Sequence, residues 1–152
     1  MKQPKPKPAT ADATLPHCGL LRRLAAILYD ALLLLAVLFI ATLAVLPLTG
    51  GEAIRPHNPL YTTYIFFVGF FFFAWFWTHG GQTLGMRAWR VRVQTRNGQA
   101  ISWWQALLRY LIAFVSWGAL GLGFLWSLFD KEKMTWHDRY SESVLVVMPR
   151  DK

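Results

Sequence analysis

Residues 20–46 read LLRRLAAILYDALLLLAVLFIATLAVL, and this stretch decides the architecture. From Leu24 to its end it carries a single charge, Asp30. At about 1.5 Å of rise per residue, a helix of this length is roughly 40 Å long, enough to cross a hydrocarbon core of roughly 30 Å with some tilt. Pro47 and the Gly50–Gly51 pair predict its end. Working outward, two further stretches are nearly charge-free, 60–77 and 106–129. A soluble domain of 152 residues has no interior that hides three such segments. The chain therefore reads as an integral membrane protein. Composition agrees: 55% of residues are hydrophobic and 16% charged, against roughly 25% charged in soluble proteins.

The second helix is expected over 60–78, LYTTYIFFVGFFFFAWFWT, with Tyr61 and Tyr64 at one end and Trp75 and Trp77 at the other. Such rings settle among headgroups at the two interfaces. With the helix at 20–46 it forms an antiparallel hairpin joined by a short polar loop. Lys and Arg number five up to Arg23, one in that loop (Arg55) and four over His79–Gln105. Positive charge stays on the cytoplasmic side, so the N-terminus and the segment after the second helix are expected there, in a bacterial inner membrane. Over residues 87–102, Trp89, Val91 and Val93 alternate with Arg90, Arg92 and Gln94, the period of a half-buried strand. Asn97–Gly98 is a turn signal. A strand or hairpin against the headgroups is expected, the alternative being a helix continuing from Thr83. Arg87, Arg90, Arg92 and Arg96 would meet anionic lipid.

Segment 106–129 is long enough to span but carries Arg109, Gly118, Gly121 and Gly123. Five basic residues follow it, which argues for a cytoplasmic C-terminus. A re-entrant or interfacial helical hairpin, broken near the glycines, satisfies both facts; a full span is the alternative. A C-terminal strand is expected over 143–148. The start, MKQPKPKPATADAT, predicts a disordered basic tail over 1–16. The first apolar run is too long for a signal-peptide core and reads as a retained anchor.

The net charge of +8 by itself would suit nucleic acid or an anionic membrane. The basic residues lie between apolar segments, which points to lipid and not to nucleic acid. The single cysteine, Cys18, excludes an internal disulfide and a cysteine zinc cluster, and reads as a passive thiol. No two histidines have metal-ligand spacing, and no nucleophile triad, phosphate-binding loop or catalytic carboxylate pair is legible. The expectation is a protein without enzymatic chemistry, metal or cofactor.

The informative residues are those that are expensive in a membrane. An Asp at a helix centre costs roughly 2.5 to 3.5 kcal/mol, less near an interface, so Asp30 needs a partner or a cavity. Arg23 lies seven residues earlier on nearly the same face, roughly 10 Å away along the axis. Arg109 is the better-placed partner for a direct pair with Asp30, and Asp138 in MTWHDRY would meet Arg23 at the surface. Under this reading, losing Asp30 leaves Arg109 or Arg23 without a counter-charge. His137 beside Asp138 suggests a proton relay, and His79 an interface residue. The charges either move an ion or small solute, or lock the helices together as polar glue.

The pattern RRLAAILYD, then GGQTLGMRAWRVRVQTRNGQAIS, then HDRYSESVLVV resembles the RDD family of bacterial membrane proteins over residues 17–148. The family takes its name from an Arg opening the first helix, an Asp inside it and a later Asp. Arg23 (or Arg22), Asp30 and Asp138 match these, and Gly81, Thr83 and Gly85 match its GxTxG element. Met86 stands where relatives carry a basic residue, which here follows at Arg87. Ser141–Glu142–Ser143–Val144 stands where relatives tend to have a small residue followed by Gly-Thr-Val. The resemblance implies little about activity: transport of some ligand, with cation/proton exchange for certain members.

The expected fold is an all-α membrane protein: a two-helix transmembrane hairpin, a third membrane-embedded segment that re-enters or spans, and a small cytoplasmic β element. The expected function is transport of an ion or small solute through Asp30; the alternative is a scaffold or accessory subunit with a structural charge network. Two or three helices enclose little space, so a homo-oligomer or a membrane partner is expected, with Gly69, Gly118, Gly121 and Gly123 permitting close approach.

Overall fold

The structure, a computed structural model, describes residues 15–149. Its order is α1 (Leu20–Val45), a 3-10 turn (Leu46–Thr49), α2 (Pro59–Thr78), α3 (Leu84–Ala88), β1 (Val91–Thr95), α4 (Trp103–Gly118), α5 (Leu122–Phe129), α6 (Trp136–Tyr140) and β2 (Ser143–Val147). The protein is mostly helical, and among the described residues two helices are long and apolar enough to cross a membrane, or up to three spans if the bent α4–α5 pair counts as one.

Helix α1 is inside out by the standard of a soluble protein. Its buried residues are Arg23, Ala26 and Asp30, which share one face. Leu28, Leu32, Leu35 and Phe39, each about two-thirds exposed, line the opposite face. An apolar stripe of that extent is costly against water and stable against hydrocarbon or another apolar surface. Gly50, in the left-handed conformation at φ 68°, closes the 3-10 turn that ends the helix. Asn58 caps α2 by accepting from the Leu60 and Tyr61 N–H groups, and Pro59 follows as the first helical residue. At the far end of the hairpin the Tyr61 hydroxyl bonds Thr42 at 2.7 Å and the Tyr64 hydroxyl donates to the Ala41 carbonyl at 3.2 Å. Those two tyrosines cross-link α1 to α2.

Gly69 is used within the chain. A Cβ there would lie 2.6 Å from the Tyr110 hydroxyl, which reaches past it to donate to the Phe66 carbonyl at 3.1 Å. So α2 and α4 approach closely inside one chain. Trp77 is buried and stands over the Arg109 guanidinium at 5.3 Å, not among headgroups. Trp75 stays half-exposed and stacks on His79 at 4.0 Å.

Residues 87–102 differ from the expected strand or hairpin in two ways. The helical alternative holds for Leu84–Ala88, where Thr83 caps the turn by accepting from Met86 N–H. This leaves Trp89 exposed and outside the strand. The strand itself is Val91–Thr95, and it pairs antiparallel with β2 rather than with a local neighbour (Val91 opposite Val147, Thr95 opposite Ser143). Val91 and Val93 are buried as the alternation requires. Gly98, φ 77°, makes the turn, and Thr95 N–H donates across it to the Gln99 carbonyl.

Segment 106–129 begins earlier than expected, at Trp103, because Ser102 and Gln105 form a reciprocal capping box. It breaks at Ala119–Gly121, and α4 and α5 meet at 97°. Leu120 and Gly121 hold positive φ there, and Gly121 N–H donates to the Ser116 carbonyl at 2.8 Å. The chain before α1 joins the same sheet: Cys18 N–H donates to the Leu145 carbonyl, and Val147 N–H to that of Pro16. Leu15 packs on Met134, Val144 and Val146. Of the tail expected over 1–16, Leu15 and Pro16 are thus held; 1–14 lie outside the described residues. The start of α1, strand β1 and strand β2 therefore share one end of the hairpin, and the α4–α5 pair leaves from and returns to that end.

Candidate functional site

Three of the charged residues singled out in the sequence meet at that end. Asp138, fully buried in α6, accepts from Arg23 Nη1 at 2.6 Å through Oδ2 and from Arg109 Nη1 through Oδ1. Oδ2 also accepts from the Thr135 N–H at 3.2 Å, so the same carboxylate caps α6. The two guanidiniums spend their other bonds nearby: Arg23 donates to the Lys133 carbonyl and to Thr135 Oγ1, and Arg109 to Ser143 Oγ at 2.9 Å. Helices α1, α4 and α6 and strand β2 are thereby tied at one carboxylate. Arg23, 2% exposed, is the arginine in question; Arg22 makes no such contact among the described residues.

Asp30 is elsewhere, and the expected Asp30–Arg109 pair does not form. Its Oδ2 accepts from the Thr83 hydroxyl and its Oδ1 from the Gly85 N–H at 2.9 Å. The short polar side chain reaches only the turn that packs directly on α1, while the long Arg109 side chain is taken by Asp138. Gly85 has to be glycine for this contact. A Cβ on it would stand 2.5 Å from the Ala26 carbonyl oxygen and 2.8 Å from Asp30 Oδ1. Gly81 is constrained in the same way: φ is 73°, a Cβ would lie 2.3 Å from the Val93 carbonyl oxygen, and the Gly81 carbonyl accepts from Val93 N–H at 2.7 Å. Gly81, Thr83 and Gly85 are thus the seam along which β1 and α3 are pressed onto α1.

One buried Asp holds Arg23, and a second Asp holds the G-x-T-x-G turn, so the residues whose spacing resembles one family all lie in this site. The chain belongs to the RDD family. The RDD family model matches residues 18–142. Neither a curated protein nor a solved structure matches the chain.

In this RDD protein Glu142 holds φ 51°, a left-handed conformation that glycine adopts without steric cost. A side chain there costs roughly 1–2 kcal/mol. Glu142→Gly should raise stability by about 1 kcal/mol, read as an upward shift of the thermal midpoint in detergent; an unchanged or lower midpoint would contradict it. Ser143 keeps the hydroxyl that a Thr would supply, and Arg109 uses it.

His137 is buried and donates or accepts at Thr135 Oγ1, 2.9 Å away, while its Nε2 is 3.9 Å from Asp138 Oδ1. The pair is not hydrogen-bonded, so the proton relay lacks its link. Burial, reinforced by the Arg109 guanidinium, pushes the imidazole well below its usual pKa. Burial alone would raise that of Asp138, but Arg23 and Arg109 outweigh it and hold the carboxyl far below the usual range. The unfolded-chain values are near 6.5 for His and 3.9 for Asp. Asp138 therefore contributes its full stability above about pH 4. His137, neutral in the fold, takes up a proton more readily when unfolded, so stability should drop below about pH 6.5 by up to roughly 1.4 kcal/mol per pH unit. Thermal unfolding at pH 7, 6 and 5 should show this slope, and His137→Gln should flatten it. A slope that survives in His137→Gln rules out this assignment.

Beside the network lies a cavity of about 340 Å³ lined mainly by α1, α2 and α4, with His137 and Leu145 also on its wall. Arg23, Asp30 and Arg109 line it together with apolar residues, Met86 among them. Among the described residues no three His, Cys, Asp or Glu side chains gather as a metal site. The charge network, Thr135 and the capping box were legible in part: T-W-H-D is a capping signature, which the spacing of Arg23 and Asp30 drew attention away from.

Proposed function

We propose that this RDD protein takes part in moving an ion or small solute across a bacterial inner membrane, with the cavity as the binding place and Asp30 as the polar group on its wall. One observation carries the reading: Asp30, inside an apolar span, lines a cavity instead of being sealed between helices. Ionisable groups at membrane depth that border a cavity mark solute pathways by default. Both oxygens of Asp30 have accepted one hydrogen bond each, which leaves each a lone pair. The protein acts without catalysis or cofactor. Both chain ends are cytoplasmic, where Arg87, Arg90, Arg92 and Arg96 meet anionic lipid. The pathway is completed by a second copy or a membrane partner.

Asp30→Asn in proteoliposomes tests this. Asn keeps the acceptor for Gly85 N–H and sets its amide against the Thr83 hydroxyl, so assembly should persist with a loss of about 1 kcal/mol. Cation and proton flux should disappear. Native mass spectrometry of the same preparation should show more than one chain; a wild-type flux ends the role of Asp30, and monomers alone end the oligomer.

A second reading is favoured by the Asp138 geometry. A carboxylate that is fully buried and shared by two guanidiniums and a backbone N–H is tied into the fold and not open to a solute. On that reading Arg23, Arg109 and Asp138 are a structural clamp in a scaffold or accessory subunit, and Asp30→Asn alters stability alone.

A further inference from the structure

The charged and imidazole side chains on the cavity wall are Arg23, Asp30, Arg109 and His137, and most of the remaining wall is apolar. Phe114 and Trp117, on the same wall, are 52% and 62% exposed, so the wall reaches the protein surface at these two apolar side chains.

This polar lining has hydrogen-bonding capacity left over. Among the described residues Arg23 Nε, Arg109 Nε and His137 Nδ1 are buried without a partner, on residues no more than 4% exposed. A guanidinium N–H only donates, so whatever satisfies the two arginines brings acceptor oxygens. The formal charges lining or backing the cavity are two guanidiniums against the carboxylates of Asp30 and Asp138. They sum to zero, which leaves no surplus to attract a bare multivalent anion. A head that carries its own cation beside its acceptor oxygens matches the balance, with the cation toward the free lone pairs of Asp30.

The geometry points to a phospholipid with a zwitterionic, ammonium-bearing head as the occupant. Its phosphate oxygens face Arg23, Arg109 and His137, its ammonium faces Asp30, and an acyl chain leaves past Phe114 and Trp117 into the bilayer. This names the ligand class for the cavity read above as a binding place and rests on that reading.

The full chain in mild detergent, supplied with equal phosphatidylethanolamine and phosphatidylglycerol of matched acyl chains, is the test by native mass spectrometry. One phosphatidylethanolamine should be retained per chain, about tenfold over phosphatidylglycerol. Asp30→Asn should abolish that preference, and Trp117→Ala, outside the charge network, should lower occupancy by both lipids several-fold with the preference intact. Preference for phosphatidylglycerol, equal retention of both lipids, or no retained lipid overturns the proposal, as does a preference that survives in Asp30→Asn. Trp117→Ala keeps the test open if Asp30→Asn fails to fold: unchanged occupancy in it removes the cavity as the seat. Ion flux with no retained lipid would sink this inference and leave the transport reading standing; retained phosphatidylethanolamine without flux would do the reverse.

Discussion

Asp138→Asn should cost this RDD protein about 3–5 kcal/mol, the range for removing one partner of a buried ion pair. Asp138 is fully buried and both guanidiniums are within 5% of complete burial, so solvent screens neither. An amide keeps one acceptor oxygen and turns the other position into a donor facing a guanidinium. Both arginines are then left charged in the interior without a counter-charge, and one of them also faces a donor. Three helices and β2 lose their common tie, and the cap of α6 is altered as well. The thermal midpoint in detergent should fall sharply, and the compensating change should be Arg109→Gln together with Asp138→Asn, which removes one of the two orphaned charges. Arg22→Gln, off the network, should stay within about 0.5 kcal/mol of wild type. A loss under about 1 kcal/mol in Asp138→Asn would mean that the network carries no structural weight.

On the scaffold reading of the sequence, Asp30→Asn leaves Arg109 or Arg23 without a counter-charge, and Arg109→Gln or Arg23→Gln would rescue it. Both arginines pair with Asp138 instead. Rescue of Asp30 should fail and rescue of Asp138 succeed, because the two carboxylates serve different partners.

Gly85→Ala is the second large effect, about 3 kcal/mol destabilising. A methyl group there meets a backbone carbonyl at 2.5 Å and the Asp30 carboxylate at 2.8 and 2.9 Å. Neither is the free end of a flexible chain, so α3 must back away from α1. Overpacking of this kind costs roughly 1–3 kcal/mol, and retreat also lengthens the charge-assisted bond from Gly85 N–H to Asp30, worth roughly 1.5–3 kcal/mol. Gly118→Ala is the matched control: nothing lies within 4 Å of its added Cβ, and alanine in a helix is favoured over glycine by about 1 kcal/mol. Unfolding midpoints of the two variants should move in opposite directions. Equal midpoints would refute the close approach of α3 to α1.

The membrane placement was decided by the sequence because hydrocarbon asks for something local: a run of apolar side chains and internally satisfied backbone. Residues 20–46 meet that demand whatever they pack against, and α1 ends where Pro47 and Gly50 require. The candidate residues were legible for a related reason. Asp30 is conspicuous because charge is costly inside an apolar run, and Arg23, Asp138 and the GxTxG residues because their spacing resembles one family. Which of them touch was not legible. Arg23 and Asp138 are separated by 115 residues and Arg109 and Asp138 by 29, and their meeting depends on the 97° bend at Gly121 and on β2 pairing with β1. Helix periodicity sets which residues share a face of one element; it holds no information on how far another element is carried. Asp30 illustrates the difference. The sequence established that it needs a partner, and only the packing of α3 on α1, through a glycine with no room for a methyl group, decided that the partner is a hydroxyl and a backbone N–H rather than an arginine.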